Sequence, residues 1–245
     1  MTPPRKAVQT PKQRLVTQAT ALGLSPLAAL QCANLSLRGW PDPGEVEQPE
    51  RDFFVAYAAA RARVEDFRLQ VERLGAALRV QASPRPSGVK RLERLVEKYT
   101  VSLTLPLDLL GCKVVVGSLR QQYEVADQLE SFFTVVSYKD RILEPQKSGY
   151  RDLQFIVSVP GTGLPHYAEV KVMHRVFDEL DEHEHKLYEI RRGLEAQQKE
   201  RLSRGQVGEL LSPVERLVYE QVGASSRALY EGAWQLVLEQ ERAQA

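Results

Sequence analysis

A first stretch of the chain with chemical potential lies around Asp108, in the sequence LPLDLLGCKVVV. Asp108 comes just before a strand-like run, and Lys113 lies within that run. A carboxylate at the mouth of a strand is a natural ligand for Mg²⁺, because this hard cation prefers oxygen. Asp is also common in turns, so the same residue could cap a turn after Pro106. Asp108 alone leaves both interpretations open.

A second stretch, KSGYR, runs from Lys147 to Arg151 and directly precedes another strand-like run. Tyr150 offers an aromatic plane on which a base can stack, and Arg151 can bind phosphate oxygens. A surface turn in which Tyr150 anchors a hairpin is equally consistent with these residue types. The stretch therefore predicts either a nucleotide-binding turn or a structural one.

A third stretch, YAEVKVMH, alternates charged and apolar residues with the period of a strand. Glu169 and Lys171 therefore point to one face, and Val170 and Val172 point to the other. A glutamate in a central strand is disfavoured unless it meets solvent, a cation or a partner. An exposed position and a metal ligand are both consistent with Glu169.

A fourth stretch, DELDEHEHKLYEIRR, has a helical pattern and crowds His183 and His185 among acidic residues. Residues two apart on a helix do not face each other, so we do not expect these histidines to chelate one metal ion. Glu184 falls on the apolar stripe of this helix, with Phe177 and Leu180. We therefore predict a buried polar contact by which Glu184 supports the sheet.

The elements that position these side chains follow from hydrophobic periodicity. Helices are predicted at 13–22, 26–35, 51–80, 89–99, 121–131, 175–204 and 212–241, with a linker at 39–50. Strands are predicted at 112–116, 132–138, 153–159 and 167–173, the last two forming a hairpin. This order indicates a mixed sheet with helices packed on it, which is an α+β fold.

The composition excludes several classes of function. The chain has 33 lysines and arginines against 32 acidic residues, so net charge gives no general attraction to nucleic acid or membranes. Its two cysteines, Cys32 and Cys112, lie far apart, which argues against a disulfide framework and against a zinc site. No apolar run is long enough for a signal peptide or a membrane span, so we expect a cytoplasmic protein.

Together, the four stretches resemble RelA/SpoT synthetase domains. In that family, D-x-x-G-x-R and S-G-Y-R-x-x-H segments open two strands, an E-[IV]-Q-[IV]-R-T strand follows, and a helix then carries E-H-x-L. The corresponding stretches here have the same order: DLLGCK from Asp108, SGYRDLQ from Ser148, EVKVMH from Glu169 and EHKL from Glu184. The resemblance covers about residues 84–192.

The resemblance implies a nucleotidyltransferase-like synthetase fold, with a mixed sheet of about five strands flanked by helices. The synthetase domain would span residues 51–204. Residues 1–50 would form a tail, short helices and a linker, and residues 205–245 would form a C-terminal helical extension.

The resemblance also implies the reaction of small alarmone synthetases and their toxin-like relatives. Pyrophosphate would pass from ATP to a ribose 3′-hydroxyl of GDP, GTP, an adenine nucleotide or the 3′ end of tRNA. Asp108 and Glu169 would hold Mg²⁺ and serve as the catalytic residues, and Glu169 would also accept the hydroxyl proton. The substrate-binding residues would be Tyr150, Arg151, Lys147, Lys113, Lys171, Arg85 and Gln154. An antitoxin or another protein partner is compatible with this resemblance.

Several positions depart from the family pattern. Lys113 stands where the family usually has an arginine that stacks on adenine, Gln154 replaces a histidine, and Met173-His174 replaces Arg-Thr. The R-x-K-x-x-x-S element is reduced to Arg85-Pro86-Ser87, and the loop before Ser148 offers only Arg141 and Lys147. These losses predict weaker binding of ATP.

The departures keep a second interpretation open, in which the domain binds nucleotide or a protein partner without any transfer. Lys90, Arg91 and Arg94 on the predicted helix 89–99 could compensate for the lost charge, or they could be ordinary solvated residues. Binding of tRNA through these three residues would weaken steeply with salt.

Overall fold

The structure is a computed structural model, and it describes residues 9–93, 95, 104–205, 208 and 210–244. Within these ranges, the α-helices are α1 (Pro11–Ala21), α2 (Pro26–Ser36), α3 (Phe53–Ala62), α4 (Val64–Leu78), α5 (Leu119–Gln128), α6 (Arg175–Ser203) and α7 (Pro213–Gln244). The strands are β1 (Gln81–Pro84), β2 (Gly111–Val116), β3 (Thr134–Asp140), β4 (Leu153–Val159) and β5 (His166–His174). In the described ranges, no helix combines the length and apolar character needed to cross a membrane.

Local signals in the sequence account for where several helices begin. Thr10 and Gln13 form a reciprocal capping box at the start of α1, and Ser25 and Ser118 cap α2 and α5 with their hydroxyls. Pro11 and Pro26 occupy the first turns, where the missing N–H has no helical partner to lose. These helices are therefore specified by residues next to them in the chain.

The five strands form one sheet in the order β1-β2-β5-β4-β3. β2 and β5 are parallel, and the other three neighbouring pairs are antiparallel. Gly111 lies opposite Glu169, and the Glu169 amide donates a hydrogen bond to the Leu110 carbonyl at 3.0 Å. The predicted α+β fold with a mixed five-stranded sheet is confirmed, and its pairing brings the Asp108 and Glu169 segments together.

A single hydrophobic cluster joins the sheet to both ends of the described chain. It includes Ala19 of α1, Cys32 of α2, Val114 of β2 and Val237 of α7, all of them fully buried. The helices α1 and α2 pack on each other, α2 packs on α5, and α6 packs along α7. Helices α1 and α2 and the last described helix, α7, thus share their core with the sheet.

The predicted helix 51–80 is wrong in one respect, because the structure contains two helices that meet at Arg63. The Arg63 side chain is buried and donates hydrogen bonds to the carbonyls of Ala59, Thr162 and Leu164. The latter two carbonyls belong to the turn between β4 and β5. The break in the helix places a buried guanidinium where it donates hydrogen bonds to the carbonyls of that turn.

Strand β1 was not among the strands predicted from the sequence pattern. It pairs antiparallel with β2, and the pairing continues where the Arg85 amide donates to the Gly111 carbonyl at 2.9 Å. For the predicted helix 89–99, Leu92, Glu93 and Leu95 are helical, whereas Arg94 and residues 96–99 lie outside the described residues.

Candidate functional site

A cavity of about 680 Å³ opens where the segment before β2 meets β5, the loop before β4, α6 and α7. Glu169 and Lys171 line it from β5, and Asp108 lines it from the segment that leads into β2. The other residues in its wall include Arg85, Ser87, Lys90, Arg91, Ser148, Tyr150, Asp181, Glu184, His185, Tyr188 and Tyr230. Acidic and basic side chains from distant parts of the sequence therefore converge on one space.

Asp108 lies three residues before β2, and its carboxylate is paired with two cations. Lys90 donates a hydrogen bond to Asp108 Oδ2, and Arg85 Nη2 lies 3.9 Å from the same oxygen. Arg85 also approaches the Asp108 carbonyl at 3.4 Å. Asp108, which was predicted to lie at the mouth of a strand, thus lies in the cavity wall. Its carboxylate is already paired with basic side chains there.

Glu169 projects from the middle of β5, and its carboxylate is held from two sides. Its Oε1 accepts a hydrogen bond from Gln154 Nε2 at 2.5 Å, and its Oε2 lies 3.7 Å from Lys171 Nζ. The charge of Glu169 raises the pKa of Lys171, so this ammonium group is charged at neutral pH. Glu169, Lys171 and Gln154 therefore form one connected group, as their shared face predicts.

Asp108 and Glu169 offer the carboxylate oxygens that a magnesium ion prefers as ligands. Across the described ranges, no three His, Cys, Asp or Glu side chains are grouped as they would be in an all-protein metal site. Magnesium usually needs only one or two carboxylates when phosphate oxygens and water complete its octahedron. Lys90 donates a hydrogen bond to Asp108 Oδ2, so a metal ion bound to that oxygen would compete with it.

Arg85 and Lys113 lie at the entrance of a smaller cleft of about 250 Å³, which adjoins the main cavity beside β1 and β2. Lys113 donates a hydrogen bond to Asp178 on α6, which directs its ammonium group towards that helix. Arg85 lines both spaces. The predicted substrate residues Arg85, Lys113 and Lys171 therefore line this cleft together with Glu169, whereas Asp108 lines only the main cavity.

Tyr150 has a different environment from the one expected of a base-stacking residue. It is only 6% exposed, and its ring contacts Phe177 and Tyr230 edge to face, at centroid distances of 6.4 and 5.6 Å. Its hydroxyl donates to Asp152 at 2.9 Å, and burial raises the pKa of that hydroxyl well above its usual value. The ring thus packs against α6 and α7, with only its margin in the cavity wall.

Arg151 points away from the cavity. Its Nη1 donates to the Ile142 carbonyl at 2.6 Å, and its guanidinium lies 4.4 Å from the ring centroid of Trp234 on α7. This cation–π contact and the burial of the side chain indicate a structural role for Arg151. Tyr150 therefore contributes to the wall of the main cavity, whereas Arg151 packs against α7.

A second cavity, of about 750 Å³, lies beside the first between the loop 141–152, α6 and α7. Its wall contains Lys147 together with four more cationic side chains: Lys139, Arg141, Arg191 and Arg227. Gln146, Ser148 and Arg191 line both cavities, so the two spaces are neighbours. Lys147 therefore belongs to this basic cavity and does not contact the carboxylates.

Residues on α6 contribute to the main cavity in a way that the sequence reading missed. Asp181, Glu184, His185 and Tyr188 all line it. Their spacing of three, four and seven residues places them on one helix face, and this periodicity is the signal that could have identified them. His185 lies 3.4 Å from Glu189, one turn further along the helix.

Glu184 is buried, as its place on the apolar stripe predicts, but its partners differ from those expected. Its carboxylate accepts hydrogen bonds from the hydroxyls of Ser226 and Tyr230, at 2.6 and 3.2 Å. Both donors belong to α7. Glu184 therefore fastens α6 to the C-terminal helix, and the prediction that it supports the sheet is wrong because α7 covers this side of α6.

No protein-family model matches the sequence, and no curated protein sequence matches it either. The small alarmone synthetase 1 of Bacillus subtilis, bound to its product pppGpp, superposes with a TM-score of 0.56 at 19% identity, over 78% of this chain and 94% of that one. The small alarmone synthetase 2 of the same organism gives a TM-score of 0.53 at 18% identity, over 80% and 98%. The chain therefore has the fold of the small alarmone synthetases, as the order of its motifs predicts.

Proposed function

We propose that the chain is a pyrophosphokinase that transfers the β- and γ-phosphates of ATP as pyrophosphate to a ribose 3′-hydroxyl, with cleavage of the bond between the α- and β-phosphates and release of AMP. The observation that carries this proposal is the shared cavity of Asp108 and Glu169, in which Arg85, Lys90 and Lys171 add positive charge. Carboxylates in one cavity suit a divalent cation, and lysine and arginine suit phosphate oxygens. Transfer of pyrophosphate requires both kinds of group beside each other.

In this reaction, Asp108 and Glu169 would hold Mg²⁺, which would supply charge neutralisation for the ATP phosphates. Lys171 and Arg85 would hold the transferred phosphates from two sides of the cavity. Glu169 would accept the proton of the attacking hydroxyl, because its carboxylate is the one that projects from the sheet between Gln154 and Lys171. Most of the rate enhancement would come from positioning and charge stabilisation.

The acceptor would bind in the neighbouring basic cavity, where Lys147, Arg191 and Arg227 suit its phosphates. GDP and GTP are the first acceptors to consider, because the Bacillus subtilis synthetase of the same fold is bound to pppGpp. An adenine nucleotide and the 3′ end of tRNA are the other acceptor classes. A tRNA acceptor would make binding steeply dependent on salt.

A second candidate function is binding of nucleotide, or of a protein partner, without transfer. The observations that favour it are the pairing of Asp108 with Lys90 and the burial of Tyr150 and Arg151 under α7. These contacts occupy groups that a synthetase of this fold would otherwise offer to its substrates.

Transfer of label from γ-labelled ATP distinguishes the two functions. Purified protein with Mg²⁺ is incubated with GDP, GTP, AMP, ADP or total tRNA, alongside the variants Glu169→Gln and Asp108→Asn. Glu179→Gln is the matched control, because Glu179 is an exposed glutamate on α6. Label that reaches one acceptor, and is lost only in the two cavity variants, supports the pyrophosphokinase. Binding of ATP with no transfer to any acceptor supports the second function.

A further inference from the structure

Gln154 on β4 lies between two groups of opposite charge. Its amide oxygen accepts a hydrogen bond from Arg141 Nη2 at 2.5 Å, and its Nε2 donates to Glu169 Oε1 at 2.5 Å. Arginine only donates and an ionised carboxylate only accepts, so this orientation of the amide is the one that satisfies both neighbours. Gln154 thus links a guanidinium to the carboxylate proposed to act in the reaction.

Arg141 is itself held in place by a buried acid. Its Nη1 donates to both oxygens of Asp152, at 3.0 and 3.3 Å, and Asp152 also accepts the hydroxyl of Tyr150. Burial raises the pKa of Asp152, and the charge of Arg141 opposes that rise. Moving Arg141 would leave a buried carboxylate without its cation, which is strongly unfavourable. The guanidinium is therefore a fixed support for Gln154.

The sheet determines how Gln154 reaches Glu169. Gln154 lies opposite Lys171 in the antiparallel pair of β4 and β5, and Ile156 lies opposite Glu169. Gln154 and Glu169 are therefore diagonal neighbours on one face of the sheet, a separation that a long side chain can bridge. Because this contact engages Oε1, the second oxygen of Glu169 remains on the side of Lys171.

We propose that Gln154 and Arg141 are positioning residues that hold Glu169 by its Oε1 and present its Oε2 to the reacting hydroxyl. The catalytic part of this inference rests on the proposed function, whereas the hydrogen-bonded arrangement does not. An amide suits position 154 because it can accept from Arg141 and donate to Glu169 at once. Neither residue would contact the substrate through these atoms.

Steady-state kinetics of Gln154→Leu and Gln154→His test the catalytic part. Leucine removes both hydrogen bonds, so we expect kcat to fall about 10- to 100-fold, with KM for ATP and for the acceptor unchanged. Histidine can donate from one ring nitrogen and accept at the other, so it should restore most of the lost kcat. A rise in KM at unchanged kcat would make Gln154 a substrate-binding residue and overturn the proposal, as would wild-type kcat in Gln154→Leu.

Gln122→Leu is the matched control, since Gln122 is also buried and its Nε2 donates to the Val172 carbonyl at 2.7 Å. This variant loses a structural hydrogen bond away from the cavity. It should reduce the free energy of unfolding and leave kcat unchanged. An equal loss of kcat in Gln122→Leu and Gln154→Leu would show a general effect on stability and would contradict the positioning of Glu169.

The side-chain amide signals of Gln154 in an NMR spectrum test the arrangement without any activity. We expect them to shift in Glu169→Ala and to remain in place in Glu182→Ala, which changes an exposed glutamate of α6. Unchanged signals in Glu169→Ala would overturn the proposal whatever the kinetics show. If the wild-type protein transfers no pyrophosphate, the proposed function fails by that result, and the spectrum alone decides whether Gln154 holds Glu169.

Discussion

The ring of Tyr150 meets the ring of Tyr230 edge to face, with centroids 5.6 Å apart and planes at 82°. Tyr230 lies on α7, and its hydroxyl donates to Glu184 on α6. Trp234, one turn further along α7, packs against Arg151. The C-terminal helix therefore forms the support behind the SGYR turn and fixes the direction of its two large side chains.

Two substitutions of Tyr230 should separate the contributions of its ring and its hydroxyl. Tyr230→Phe keeps the ring contacts and removes one donor from buried Glu184, which should cost about 1–2 kcal/mol. Tyr230→Ala also removes the ring from between Tyr150 and Phe177 and should cost about 3–5 kcal/mol. Urea unfolding measures both values. If Tyr230→Ala is no less stable than Leu229→Ala, which truncates a neighbouring exposed side chain, α7 does not pack as described.

Replacing Lys171 should impair transfer while preserving the fold. Its ammonium group lies 3.7 Å from Glu169 Oε2 and 5.7 Å from the ring centroid of Tyr150, at the wall of the cavity. Lys171→Met removes the charge that would stabilise the transferred phosphates, so we expect kcat/KM for ATP to fall about 100-fold. Lys186→Met, on an exposed part of α6, should retain wild-type kinetics. Equal kinetics in the two variants would contradict the assignment of Lys171.

Asp140 should be one of the most important residues for stability. This buried carboxylate accepts hydrogen bonds from the hydroxyls of Tyr123 and Tyr138, from the thiol of Cys32 and from two backbone amides. Asp140→Ala leaves several buried donors without an acceptor, and we expect a loss of at least about 3 kcal/mol in denaturant unfolding. Asp127→Ala, at the surface, should cost less than about 1 kcal/mol. Similar losses would show that the buried network is not formed.

His166 should make the protein less stable in acid. Burial, with a smaller effect of nearby Arg63, lowers its pKa from 6.5 to about 4. Between these values the unfolded chain binds a proton at this residue and the folded chain does not, so stability falls as the pH decreases. The stability lost between pH 7 and pH 4 should be about 3 kcal/mol smaller in His166→Gln than in the wild type.

Chemical denaturation at a series of pH values measures this difference. His183→Gln removes an exposed histidine and should follow the wild-type curve. An unchanged pH dependence in His166→Gln would show that folding does not lower the pKa of this histidine.

The sequence predicts the elements of this fold better than it predicts their junctions. Strands β2, β4 and β5 and helices α6 and α7 have clear periodicity and appear near the expected positions. The end of the helix at Arg63 has no proline or glycine to mark it, because the break depends on carbonyls about a hundred residues later. Strand β1 has only four residues, one of them a proline, and it exists because β2 offers an edge.

In the site, too, some features follow from the local sequence pattern and others depend on residues far away in the chain. Alternation along β5 correctly places Glu169 and Lys171 on one face, and the parallel pairing of β2 with β5 brings Asp108 to them. The directions of Tyr150 and Arg151 depend on Tyr230 and Trp234, which no local pattern connects to the SGYR turn. The local sequence therefore identifies the turn but does not determine which of its side chains face the cavity.

The SGYR turn and α7 are far apart in the sequence, so the turn is synthesised well before the helix that packs against it. Translation delivers the sheet before the helix that supports Tyr150 and Arg151. Until Tyr230 and Trp234 leave the ribosome, the turn lacks the partners that bury its two large side chains. The nascent chain therefore carries an exposed aromatic ring and guanidinium at this turn, and the candidate site acquires this wall only after α7 has been synthesised.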